Sequence, residues 1–196
     1  MKKLLVVMSL CALSVMAFAQ DNIFLAAKMN NVQSLQFYKE QGVSLDTLDV
    51  IGFSPLFLAI YNNQQDAFEY LLEAGASMIL PDKSGNCPLM GAIFTSNEDF
   101  VSLLLDKGAN VNQSNNNGTT PLMLAVTLQR IDIIKILLSH KAKTNKKDIS
   151  GNDALGLAKS MGNQEVIDLL SSKRSRKPEK QRIVEKSTSN RESYAI

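Results

Sequence analysis

Asn115-Asn116-Asn117-Gly118-Thr119-Thr120-Pro121-Leu122-Met123-Leu124-Ala125 decides the fold, because its landmarks return along the chain at a fixed interval. Thr120-Pro121-Leu122-Met123 has counterparts in Ser54-Pro55-Leu56-Phe57, Cys87-Pro88-Leu89-Met90 and Asp153-Ala154-Leu155-Gly156, successive blocks lying 33 residues apart with no insertion. Gly118 returns as Gly52, Gly85 and Gly151, and Asn115 as Asp49, Asp82 and Asp148. Ala125 returns as Ala26, Ala59, Ala92 and Ala158. A period of this size marks one supersecondary unit stacked on copies of itself. Such a solenoid presents an extended surface rather than a closed catalytic pocket, which argues against most enzyme classes.

Each column has a physical role. Proline in the first helical turn presets φ where no N–H partner is needed. The Ser, Thr or Asp before it can cap that helix. Alanine at mid-helix lets neighbouring helices approach closely. A second helix follows, seen in the apolar spacing of Phe68, Leu71 and Leu72 and of Ile133, Ile134, Leu137 and Leu138. Gly42, Gly75 and Gly108 then permit a left-handed turn that ends it. Lys141 occupies the same column, which predicts strain of about 1 kcal/mol if that turn stays left-handed.

These columns resemble the ankyrin repeat, whose signature runs D-x-x-G-x-T-P-L-H-x-A and continues through a second helix to G-A-x-V-N. Residues 115–125 carry the nearest match, with Gly108-Ala109 and Val111-Asn112 just before them, and the resemblance extends from 21 to about 171. It implies an all-α ankyrin-repeat solenoid of about five helix-turn-helix repeats with short β-hairpin fingers. By register the repeats fall near 21–48, 49–81, 82–114, 115–147 and 148–172. The family's histidine is replaced here by Phe57, Met90, Met123 and Gly156. Apolar packing is therefore expected where the family has that histidine's hydrogen bonds. The first and last copies lack the Ser/Thr-Pro-Leu start, as capping repeats do.

Residues 1–19 read as a signal peptide: Lys2 and Lys3 precede an apolar run from Leu4 to Phe18, and Ala17-Phe18-Ala19 makes a cleavage site before Gln20. The run is short for a membrane span, and no second one follows. A mature chain in the periplasm or outside a bacterial cell is expected, with no membrane span. Cleavage would remove Cys11 and leave Cys87 alone, so packing rather than a disulfide must hold the fold. Charge divides the remainder. Residues 20–172 hold 11 Lys or Arg against 16 Asp or Glu, whereas residues 173–196 hold 8 against 3. That basic tail has few apolar residues and no repeat register, so it is expected to be disordered.

Chemistry-bearing constellations are missing from the sequence. The chain has one histidine, His140, and carries no G-x-S-x-G, H-E-x-x-H or C-x-x-C motif. No catalytic residue, cofactor or metal is expected. An acidic exported domain without Trp or aromatic–basic interleaving is a poor nucleic-acid binder.

The resemblance implies instead that a protein partner binds the concave face, on the fingers and the exposed side of the first helices. Register then gives Val50, Ile51, Phe53, Lys83, Asn86, Asn116 and Asn117 on the fingers, and Tyr61, Asn62, Phe94, Thr127 and Leu128 on the helices. The apolar members of this set mark a contact surface, centred on Phe53, Tyr61 and Phe94. The expected function is a non-catalytic binding module of the cell envelope, monomeric alone, that protects or inhibits an envelope enzyme or toxin. The alternative is a structural scaffold tethered to an anionic surface by its tail.

Overall fold

The computed structural model describes residues 23–174. The signal-like segment before them and the tail beyond Arg174 lie outside the described residues. The described chain is ten helices: α1 (residues 23–28), α2 (Val32–Glu40), α3 (Pro55–Tyr61), α4 (Gln65–Glu73), α5 (Pro88–Phe94), α6 (Glu98–Asp106), α7 (Pro121–Thr127), α8 (Ile131–Ser139), α9 (Ala154–Ser160) and α10 (Gln164–Arg174). Two helices serve each of five repeats. The first helices form an inner row in which α3, α5, α7 and α9 contact in succession, and each packs on its own second helix. The last helix continues to Arg174, two residues beyond the boundary read from the sequence.

The repeat columns explain the stacking. Ala26, Ala59, Ala92, Ala125 and Ala158 each sit within a first helix and are buried, so the inner row closes with no side chain to hold it apart. Between the rows lie Leu56, Leu89 and Leu122 from the first helices and Phe68, Leu71, Phe100, Leu104, Ile134 and Leu137 from the second, all fully buried. Phe68 and Phe100 stack across α4 and α6 with ring centroids 4.0 Å apart. One contiguous core runs through the described repeats, as expected where each unit buries its apolar face only on its neighbours.

Caps fall where the sequence places them. Ser54 Oγ accepts the Phe57 N–H at 3.2 Å, Thr120 Oγ1 accepts the Met123 N–H at 3.2 Å, and Asp153 Oδ1 accepts the Gly156 N–H at 2.8 Å. Cys87 makes no such bond. Phe57, Met90 and Met123 are buried, so packing does replace the family histidine. Met123 also keeps a trace of its polar role, because its Sδ accepts the Thr120 N–H at 3.4 Å, a weak interaction at this acceptor.

The fingers differ from the expected β-hairpins: no strand occurs among the described residues. Each finger is a five-residue turn closed by one backbone bond between its ends, Asp49 N–H to Phe53 O at 3.0 Å in the first, and braced by one side chain. Asp49 Oδ1 accepts the N–H groups of Ile51 and Phe53 at 2.9 and 2.8 Å. Asp82, Asn115 and Asp148 repeat this arrangement one unit on each time. A side-chain oxygen that satisfies two backbone donors locally leaves too few for a strand ladder. Backbone bonds between fingers are sparse, with Asn116 N–H donating to Ser84 O at 3.1 Å and Ile149 N–H to Asn117 O at 3.0 Å.

Candidate functional site

Phe53, Phe57 and Tyr61 are spaced by four, which aligns them along one side of α3 and the residue leading into it. Phe53 stacks on Phe57 with centroids 4.9 Å apart and rings 9° from parallel. Tyr61 lies 6.1 Å from Phe53 and 21° from parallel. The repeat supplies the next ring: Phe94 is Tyr61 one unit on, and the two stack at 6.0 Å and 12°. Four aromatic rings thus form a row crossing from the second repeat to the third. Phe57 is buried beneath it, while Tyr61 is 50% and Phe94 55% exposed.

Beside this row lies a groove of about 360 Å³, lined by Phe53, Phe57, Tyr61, Phe94, Met90, Gly91 and Leu124, with Asp82 and Asn86 of the adjacent finger at its edge. One of its lining residues breaks the repeat pattern. The column that reads Leu58, Leu124 and Leu157 holds Gly91 in the third repeat. A Cβ at Gly91 would stand 3.2 Å from Phe57 Cζ and 3.4 Å from Phe57 Cε1. The Phe57 ring therefore packs directly on Gly91, where the other repeats carry a leucine.

The polar groups at the edge are already engaged. Asp82 Oδ1 accepts the Ser84 and Asn86 N–H groups, each at 2.8 Å, and its Oδ2 accepts Asn86 Nδ2 at 3.0 Å. Asn86 Oδ1 accepts Asn115 Nδ2 at 2.9 Å. The groove thus offers shape and apolar surface more than free hydrogen-bonding groups. Half of an aromatic side chain is roughly 100 Å², so covering each half-exposed ring stabilises a complex by about 2.5 kcal/mol before the costs of association.

Of the residues named from register, the structure brings Phe53, Tyr61, Asn86 and Phe94 together in the groove. Val50 and Ile51 are exposed but stand at the finger tip, outside it. Several polar candidates serve the scaffold. Asn62 Nδ2 donates to Leu58 O at 2.8 Å and Thr127 Oγ1 to Met123 O at 3.0 Å. Lys83 Nζ donates to Val50 O at 2.6 Å, and Asn116 Nδ2 to Lys83 O at 3.2 Å. Asn117 contributes its carbonyl to the next finger, and Leu128 packs partly against the core. Phe57, Met90, Gly91, Leu124 and Asp82 are groove residues that the register argument left out. The interval-of-four aromatics and the glycine in a leucine column were the available signals.

Elsewhere the titratable side chains fit the scaffold. Cys87 is a buried free thiol, and burial pushes its pKa up against the opposing pull of nearby backbone N–H groups. His140 Nδ1 lies 3.0 Å from Ile136 O, and its Nε2 lies 3.3 Å from Asp106 Oδ1. Among the described residues no group of three or more His, Cys, Asp or Glu is placed to hold a metal ion, and no helix is long and apolar enough to cross a membrane.

A family model described as ankyrin repeats in three copies matches residues 23–115, 80–148 and 109–182. The repeat period, the paired helices and this match agree, and the chain belongs to the ankyrin-repeat family. Proteins of this family are generally protein–protein interaction modules. No curated protein matches the chain.

Proposed function

We propose that this chain is a non-catalytic binding module that holds a protein partner of the bacterial cell envelope in the groove between its second and third repeats. One observation carries the reading: a row of near-parallel rings, with Tyr61 and Phe94 half-exposed, lies beside a groove lined by Gly91. Exposed aromatics in a shaped apolar depression are the usual anchors of protein recognition. The partner in this reading inserts apolar side chains, since Asp82 and Asn86 are committed within the finger. Capping such a partner would protect or inhibit it, which suits an envelope enzyme or a toxin. The envelope setting rests on the signal-like pattern of residues 1–19.

The test is site-specific photo-crosslinking in living cells. A photoreactive side chain at Phe94 should capture one envelope protein, and the same group at Asp99, exposed on α6, should not. Equal capture from both positions would overturn the groove as the site. N-terminal sequencing of the envelope fraction should begin at Gln20, and an intact Met1 in the cytoplasm would remove the export reading.

A further inference from the structure

The solenoid is electrically lopsided. Residues 23–139 carry 6 Lys or Arg against 11 Asp or Glu, while residues 140–174 carry 7 against 4. The change begins at the loop after α8, where Lys141, Lys143, Lys146 and Lys147 fall within seven residues. This loop is pinned to the preceding repeat: Lys143 N–H donates to Asn112 Oδ1 at 2.8 Å, and Lys146 Nζ to Asn112 O at 3.0 Å. Lys141, Lys143 and Lys147 are exposed, and among the described residues their ammonium groups make no hydrogen bond or ion pair. One repeat on, Lys173 and Arg174 at the end of α10 occupy the register positions of His140 and Lys141.

Lys141 is also one of five described non-glycine residues with positive φ, the others being Asn30, Asn63, Ser96 and Gln129. Lys141 has φ of 66°, in the column where Gly42, Gly75 and Gly108 have 81°, 90° and 94°. A Cβ at those glycines would meet nothing within 4 Å, so space does not exclude a side chain from this column. The cost of a lysine there is conformational, and glycine would remove it.

We infer that this lysine edge docks the protein on an anionic phospholipid bilayer, leaving the aromatic groove free for its partner. A row of solvated ammonium groups suits the smeared negative potential of such a surface. Nucleic acid is the poorer fit, since no Phe, Tyr or Trp occurs between Phe100 and Tyr194 to stack on a base. Export on the signal-like pattern of residues 1–19 would carry the chain across a membrane and leave it beside such a surface.

Cosedimentation of the purified chain with phosphatidylcholine vesicles, with and without phosphatidylglycerol, tests this. Binding should require phosphatidylglycerol and weaken as salt rises. Replacing Lys141, Lys143 and Lys147 with Gln should weaken it roughly 100-fold, about fivefold for each lysine near the surface. Lys135→Gln should leave it unchanged, because the Lys135 charge is paired with Asp132 on the same helix. Lys141→Gly should raise Tm by about 2–4 °C while weakening vesicle binding about fivefold. Equal binding to both vesicle types, or triple-variant binding equal to that of the unaltered chain, would overturn the proposal. Duplex DNA that displaces the protein from vesicles at matched phosphate concentration would also overturn it.

Discussion

Gly91→Ala separates the opposing forces that shape the groove. Gly91 lies in the middle of α5, where alanine in place of glycine stabilises a helix by about 0.5–1 kcal/mol. Against this stands the new methyl, 3.2 Å from Phe57 Cζ, 3.4 Å from Phe57 Cε1 and 3.5 Å from Ile60 Cγ2. Carbon pairs prefer about 3.5–4.0 Å, so the Phe57 ring must withdraw by roughly 0.3–0.5 Å. The groove beside it gives the ring and its stacked partner Phe53 room to move. A shift of that size costs a few tenths of a kcal/mol, so helix propensity should win by about 0.5 kcal/mol, raising Tm by roughly 1–2 °C. Gly91→Leu restores the leucine of the column and must place three more carbons where the groove is. Overpacking then costs about 1–3 kcal/mol, partly offset by the same helix gain. Partner affinity should fall at least tenfold as the groove fills. Urea melts of both variants and titration of the crosslinked partner read these effects separately. A loss above about 1 kcal/mol in Gly91→Ala would mean that Phe57 cannot yield. Unchanged affinity in a folded Gly91→Leu would show that the groove is not the binding site.

Tyr61→Ala and Phe94→Ala should each weaken the partner by about 2 kcal/mol or more, read by calorimetric titration. Tyr61→Ala should cost more folding stability, because Tyr61 stacks on two rings and Phe94 on one; a double-mutant cycle should return a coupling of about 0.5–1.5 kcal/mol. Cys87 should resist a thiol reagent in the folded protein and react at full rate in denaturant, since burial keeps the thiol protonated. The sign of the linkage follows: the unfolded thiol ionises first, so Cys87 contributes a loss of stability as pH rises above the ordinary thiol value, and Cys87→Ser should flatten that slope in alkaline melts. A chain ending at Arg174 should melt within a few degrees of the full chain by circular dichroism, because each repeat contacts only its neighbours.

Much of the architecture was legible in the sequence because each landmark acts through local chemistry. Proline in a first turn, an oxygen before it and an alanine at mid-helix do the same thing wherever they stand, so their 33-residue recurrence declared the stacked helix pairs. Register also placed Tyr61 and Phe94 side by side, since equivalent positions in adjacent repeats are neighbours by construction. The family pattern implied hairpin strands in the fingers, and among the described residues the fingers form turns in which Asp49, Asp82, Asn115 and Asp148 accept nearby backbone donors. The depth of the groove was a matter for tertiary structure alone. Whether Phe57 packs into the core of its own repeat or reaches across to the next depends on the space left at Gly91, two helices and 34 residues away. That is a packing outcome between non-local side chains, which no local rule determines. Lys141 shows the same division. Its column foretold a left-handed turn, but only the folded backbone, with φ of 66°, established that the lysine accepts the strain.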